Sequence, residues 1–160
     1  MRVAILTIST TRAAEGGGDE SGELLEQFAI ALGGEVVARE IVSDERDQIE
    51  ERLRRWSEGD GCELILTTGG TGVAPRDVTP EATRAVLERE VPGIAEAMRE
   101  ASRPHTRHWM LSRGVAGIRH GTLIVNFPGN PRSIPQTAAA IADALPHALA
   151  LIAGTPTGHA

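Results

Sequence analysis

Two aspartates and a cluster of glycines carry most of the chemistry legible in this chain. Thr67-Thr68-Gly69-Gly70-Thr71-Gly72 sets three glycines close together, where the backbone can approach an anion that side chains would keep away. Leu64-Ile65-Leu66, just before it, reads as a buried strand. Pro75-Arg76-Asp77 follows, and Thr79-Pro80-Glu81 predicts a helix start. Thr79 is placed as N-cap, Pro80 at the first helical position and Glu81 at the positive end of the dipole. Strand, glycine loop, acid and helix start together build an anion site at the carboxyl end of a parallel strand. Asp44, in Ser43-Asp44, stands at a second predicted strand end. For each aspartate, helix N-capping is the competing duty.

Composition narrows the chemistry. All 16 basic residues are arginine, which excludes a Walker-A lysine and a pyridoxal Schiff base. Phosphate chemistry must therefore use backbone N–H groups, arginine and a metal. A net charge of −6 argues against a nucleic-acid surface. Cys62 stands alone, so no intrachain disulfide or CxxC site exists, and its place beside a strand predicts a buried apolar role. His105 and His108 have i,i+3 spacing, but no third zinc ligand accompanies them. His120 falls in a turn, His147 on the last helix and His159 in the tail. No secretion signal opens the chain, no apolar run approaches the ~20 residues of a membrane span, and a cytoplasmic protein is expected.

The elements must bring these residues together. Val3–Ile8 is a nearly continuous apolar run, as in a strand covered on both faces. Ser9 to Glu20 reads as a polar loop, and Leu24, Leu25, Phe28, Ala29 and Leu32 give the next helix its stripe. Glu35 to Val42 is a second strand. Ser43-Asp44 opens a second helix, with Ile49, Leu53 and Trp56 inward. The first half thus reads β-α-β-α-β-α, a parallel sheet with helices on both faces. Loops that follow parallel strands share one edge, which draws Asp19, Asp44 and Asp77 towards one crevice. Further on, helices are expected over 79–90 and 94–102, the latter with Ile94, Ala97, Met98 and Ala101 inward. Two strands within 111–127 and a last helix from about Ser133 to Ala153 follow, then a frayed tail from Thr155. Residues 104–110 carry no clear pattern. The whole of 1–160 is expected to form one domain.

AILTIS, GGGDESG, IVSDE, LILTTGGTG with RDVTPEAT, VPGIAEAMREAS, MLSRGVAGI and NFPGNP, in that order, resemble the MogA/MoaB family of molybdenum-cofactor biosynthesis, related to the G domain of gephyrin. The resemblance spans Val3 to Gly154. It implies a three-layer α/β sandwich with a mostly parallel central sheet, commonly a homotrimer. It also implies an enzyme, molybdopterin adenylyltransferase, using ATP and Mg²⁺, with handover to a molybdenum-insertion protein. Asp44 and Asp77 match the catalytic, metal-holding aspartates, although Ser43 replaces the usual proline before Asp44. The Gly69, Gly70, Thr71 and Gly72 loop corresponds to the nucleotide-phosphate site, Ser9 and Thr68 to binding positions, and Asp19 to a metal or substrate position or a loop Asx-turn. Ser102, Ser112 and Arg113 correspond to positions around the pterin and its phosphate, while Asn126, Pro128 and Gly129, at another strand end, are either binding residues or a structural helix start. Arg113 either forks onto that phosphate or makes a surface salt bridge; Arg76 is either a phosphate ligand or a partner of Asp77. Two other readings stay open: a non-catalytic molybdopterin-binding or assembly protein of the MoaB type, and a nucleotide-binding α/β protein outside this pathway. Molybdenum and tungsten routes are not distinguished.

Overall fold

Alternation along β1 (Arg2–Ile8) sends its residues to two different cores in the computed structural model, which describes residues 1–155. Val3 and Ile5 meet Leu64, Leu66, Leu123 and Val125. Ala4, Leu6 and Ile8 meet Ile65 and Ile124 on the opposite face. Burial on both faces explains the near absence of polar alternation in this strand. On the first face lie α2 (Glu20–Ala31), α5 (Pro92–Ser102), α6 (Ile134–Ile141) and α7 (Ala144–Ile152), contributing Leu25, Ala29, Ile94, Met98, Ile134 and Leu145. The second face is covered by α3 (Arg46–Glu58) and α4 (Thr79–Val86) through Ile49, Leu53, Trp56, Ala82 and Val86. Cys62 is buried in this second core, and burial pushes its thiol pKa up.

The central sheet orders its strands β2 (Glu35–Val42), β1, β3 (Leu64–Thr68), β6 (Thr122–Phe127), β5 (Ala116–Arg119) and β4 (Arg89–Glu90). β2, β1, β3 and β6 pair in parallel, while β5 runs against its neighbours β6 and β4. The chain leaves β1 for β2 on one side, then crosses back to β3 on the other. That reversal makes the β1/β3 boundary a topological switch point, where open sheets leave a crevice at the carboxyl ends of the strands. The three-layer, mostly parallel sandwich is therefore as expected.

Several local expectations are corrected. Within Ser9–Glu20, residues Thr10–Glu15 form a short helix, α1, because the Ser9 side chain accepts from the Arg12 N–H at its start. The next helix starts at Glu20, capped by Asp19. Asp44 does not begin α3; Glu45 precedes its first residue and Asp44 stays in the loop. Thr79 is the first residue of α4, with Val78 ahead of it. That helix ends at Val86, where Leu87 turns extended (ψ 140°) to feed the edge strand β4. In α5 the buried positions are Ile94, Ala95, Met98 and Ser102, so Ala97 faces outward. Residues 109–111 form a 3-10 turn ahead of β5. The expected last helix is divided after Ile141. Pro146 lacks the N–H that would bond the Ala142 carbonyl, and its ring crowds that carbonyl. His159, like the rest of the expected tail beyond Thr155, lies outside the described residues.

Candidate active site

The switch point is built by backbone crowding. Gly69 and Gly70 follow β3 with φ of +99° and +64°, the left-handed region that favours glycine. A Cβ on Gly69 would stand 2.3 Å from the Ile8 carbonyl oxygen, so only glycine allows the ends of β1 and β3 to close this far. The turn after β6 joins them: the Thr68 hydroxyl donates to the Pro128 carbonyl at 2.8 Å. A Cβ on Gly129 would lie 3.1 Å from the Gly69 Cα. From the other side, Thr79 anchors the loop, its hydroxyl donating to Gly69 O (2.9 Å) and its N–H to Gly70 O (3.1 Å).

Both expected aspartates lie against this loop. Asp44 Oδ1 is 3.3 Å from where a Cβ on Gly70 would stand, and Asp77 Oδ2 is 2.8 Å from the corresponding point on Gly72. Asp44 Oδ2 accepts from the Thr10 N–H (2.9 Å) and hydroxyl (2.8 Å), which fixes its carboxylate; Thr10 carries no motif and is found only in the fold. Asp77 Oδ2 accepts from the Ala74 N–H at 2.9 Å. Each Oδ1 lacks a hydrogen-bond donor among the described residues. Asp44 and Asp77 are both half-buried.

Asp19 sits apart from this pair. Its buried carboxylate caps α2 by accepting from Gly22 N–H (3.1 Å), takes the Thr7 hydroxyl at 2.8 Å and pairs with Arg39 at 3.3 Å. Every oxygen is thus turned into the protein. Arg76 is exposed, with no bond to Asp77 among the described residues, so it does not hold that aspartate.

The Arg113 guanidinium, though partly exposed, is tied to the protein along its edges. Nε donates to Gly72 O at 2.7 Å, Nη2 to Asp77 O at 2.8 Å, and Nη1 pairs with Glu81. Its backbone N–H also donates to Thr71 O at 2.7 Å. Of the two readings of Arg113 the salt bridge is the one observed, its fork closing on the two ends of the 72–77 loop and on Glu81. The hydrogen bond from Arg113 holds the Glu81 carboxyl below the ordinary glutamate range.

Beside the loop opens a pocket of about 120 Å³. It gathers Ser102, Ser112, Asn126 and Pro128 from distant stretches together with Arg99, Thr106, His108 and Trp109. Asn126 braces its floor: its amide donates to Thr67 and Thr83 hydroxyls (2.9 and 3.0 Å) and its Oδ1 accepts from Val115 N–H at 3.2 Å. His108 lines this pocket, and among the described residues no three His, Cys, Asp or Glu side chains converge as a metal-binding group. No described helix is long and apolar enough to cross a membrane.

A glycine loop with a carboxylate over each end, next to a mostly apolar pocket, lies at the switch point of the sheet, where open α/β folds leave their ligand crevice. Residues 4–147 match the family described as a probable molybdopterin binding domain, and the chain belongs to that family. It is 47% identical over 115 residues to a molybdopterin adenylyltransferase of Helicobacter pylori, covering 72% of this chain and 65% of that one. To the molybdenum cofactor synthesis protein cinnamon of Drosophila melanogaster it is 44% identical over 149 residues, 92% of this chain and 25% of the relative. The chain thus spans from a quarter to just under two thirds of these relatives. The crystal structure of the molybdopterin biosynthesis enzyme MoaB from Thermus thermophilus superposes with a TM-score of 0.90 at 46% identity, covering 97% of this chain and 98% of that one.

Proposed function

We propose that this chain transfers the adenylyl group of ATP to molybdopterin, with Mg²⁺. The observation that carries the proposal is the pair of carboxylates set over Gly70 and Gly72, in a chain similar to proteins named for that reaction. An oxygen of the substrate's terminal phosphate attacks the α-phosphorus of ATP. The bond from that phosphorus to the bridging oxygen breaks, and pyrophosphate leaves with that oxygen. Neither substrate needs a protein nucleophile, so positioning and charge neutralisation carry the catalysis.

The donor set suits Mg²⁺, which takes oxygen ligands and keeps one or two carboxylates plus phosphates. Asp44 and Asp77 would hold it through Oδ1, since each Oδ2 is engaged by the protein. Bound there, the ion supplies neutralisation of phosphate charge. Ser9 and the Thr68–Gly72 loop are assigned to the nucleotide. Ser102, Ser112, Asn126, Pro128 and Gly129 are assigned to the pterin side. Asp19 and Arg113 become positioning residues, the first for the end of β1 through Thr7, the second for the loop that carries Asp77. Residues 1–160 are taken as one domain, supported by the single sheet and its two cores. A homotrimer, a cytoplasmic location and handover to a molybdenum-insertion protein complete the proposal, on the strength of family resemblance.

The test is to mix the purified protein with molybdopterin, ATP and Mg²⁺ and to quantify adenylylated pterin and pyrophosphate. Equal amounts of both are expected. Tight pterin binding without product would move the chain to the binding or assembly class. Nucleotide binding without pterin binding would place it outside this pathway.

A further inference from the structure

The cation that faces the pterin pocket is Arg99, within the VPGIAEAMREAS stretch but given no role there by the sequence. Burying part of a guanidinium is costly unless an anion or fixed dipoles compensate it. Half-buried Arg39, Arg52, Arg54, Arg113 and Arg119 each meet a carboxylate. Half-buried Arg12 and Arg99 have no such partner among the described residues. Arg12 bonds the Gly18 carbonyl on the loop beyond α1. Arg99 stands between two recesses, the pocket of about 120 Å³ and an adjoining one of about 300 Å³ that also reaches Arg113.

Its anchoring is one-sided. Nη1 donates to Gly114 O at 2.9 Å and to Ser112 O at 3.4 Å, both just ahead of β5. Nε and Nη2 have no acceptor among the described residues. Two carbonyls therefore fix the plane of the guanidinium while one edge keeps its N–H donors for a ligand. That edge is the fork that matches the oxygens of an anion. Arg113, one of whose two sequence readings is this duty, is already occupied by Gly72, Asp77 and Glu81.

We infer that Arg99 is the residue that binds an anionic group of the pterin substrate and selects for it. This rests on the reading of the pocket given under the proposed function. Molybdopterin offers two anionic groups, its phosphomonoester and its ene-dithiolate, and both present the paired acceptors that a guanidinium edge takes.

The experiment compares wild type, Arg99→Ala and Arg99→Lys by equilibrium binding. Three probes are used: molybdopterin, its dephosphorylated form, and molybdopterin with both sulfurs carboxamidomethylated. ATP binding and thermal unfolding are measured alongside. Arg99→Ala is expected to weaken molybdopterin binding about 10- to 100-fold, the range of one charge-assisted contact, with ATP binding unchanged. Arg99→Lys should recover part of the loss. One modified probe should bind wild type as weakly as molybdopterin binds Arg99→Ala, and that probe should no longer sense the substitution; which probe does so identifies the group. Equal weakening of all three probes, or no weakening of molybdopterin, would overturn the inference while leaving the adenylylation reading intact. If Arg99→Ala unfolds, the wild-type probe series and Arg99→Lys decide alone, and a wild type indifferent to both modifications overturns the inference. A wild type that binds no molybdopterin overturns the functional reading itself, and this inference with it.

Discussion

Replacing Arg113 by alanine removes three grips on the loop that carries Asp77: Nε on Gly72 O, Nη2 on Asp77 O, and the pair with Glu81. The two carbonyl contacts join the ends of a six-residue segment, 72–77, whose only other internal ties are short-range bonds at Ala74 and Asp77. At about 1 kcal/mol net for each carbonyl contact, the loop loses roughly 2 kcal/mol of preference for its present form. The Glu81 pair adds little, because Arg113 is 34% and Glu81 41% exposed, and exposed pairs contribute about 0–1 kcal/mol. Two kcal/mol corresponds to about a 30-fold loss if only the present loop form is competent. The loss should appear in kcat, with the molybdopterin KM nearly constant and the Mg²⁺ requirement raised. Glu81→Gln keeps both carbonyl contacts and should cost only a few-fold. Steady-state kinetics on the two variants, with unfolding curves as controls, provide the assay. A rise in molybdopterin KM that accounts for the whole loss in Arg113→Ala would refute the reasoning and return Arg113 to the substrate.

Three further outcomes follow from the same geometry. Gly72→Ala puts a Cβ 2.8 Å from Asp77 Oδ2 without a left-handed backbone, so turnover should fall about tenfold or more with little change in the urea midpoint. Gly69→Ala puts one 2.3 Å from a backbone oxygen at φ +99°, so its midpoint should drop by several kcal/mol equivalent. Thr10→Val removes the hydroxyl bond to Asp44 at similar shape, and a loss of about 1 kcal/mol of anchoring should lower turnover about fivefold at limiting Mg²⁺. Arg113 depresses the folded-state pKa of Glu81, so the pair's contribution is complete above the unfolded glutamate value of about 4.3 and is lost as pH falls through the lower folded value. The stability difference between wild type and Glu81→Gln, measured by urea unfolding, should therefore be flat from pH 7 to about 5.5 and shrink towards pH 3.

The sheet and the loop were legible because their signals are local. An apolar run such as Val3–Ile8, or glycines directly after Leu64–Leu66, states its own geometry, and parallel topology then places Asp44 and Asp77 on one edge. What stayed hidden depends on partners distant in sequence. Thr10 and Asp44 are 34 residues apart, and Arg113 reaches Glu81 across 32. Nothing at either end of such a contact announces the other. Thus the sequence leaves Arg113 open between a phosphate and a salt bridge, and only the fold shows its fork closing on the protein. Arg99 carries no signal of its role, because an arginine on a helix reads as solvated surface. Residues 104–110 have no period to read, since they fold as turns and most of a 3-10 segment, yet they supply Thr106, His108 and Trp109 to the pocket. α1 was concealed by Gly16-Gly17-Gly18, which mark only its end.

The central claim is that Asp44 and Asp77, set over the glycine loop, carry adenylyl transfer. Product formation with molybdopterin, ATP and Mg²⁺ should be measured for wild type, Asp44→Asn and Asp77→Asn, with pterin binding followed in the same samples. The account predicts pterin binding within a few-fold of wild type and adenylylated product reduced at least about 100-fold in each variant. Product at the wild-type rate from either variant, with its fold and pterin binding intact, would contradict it.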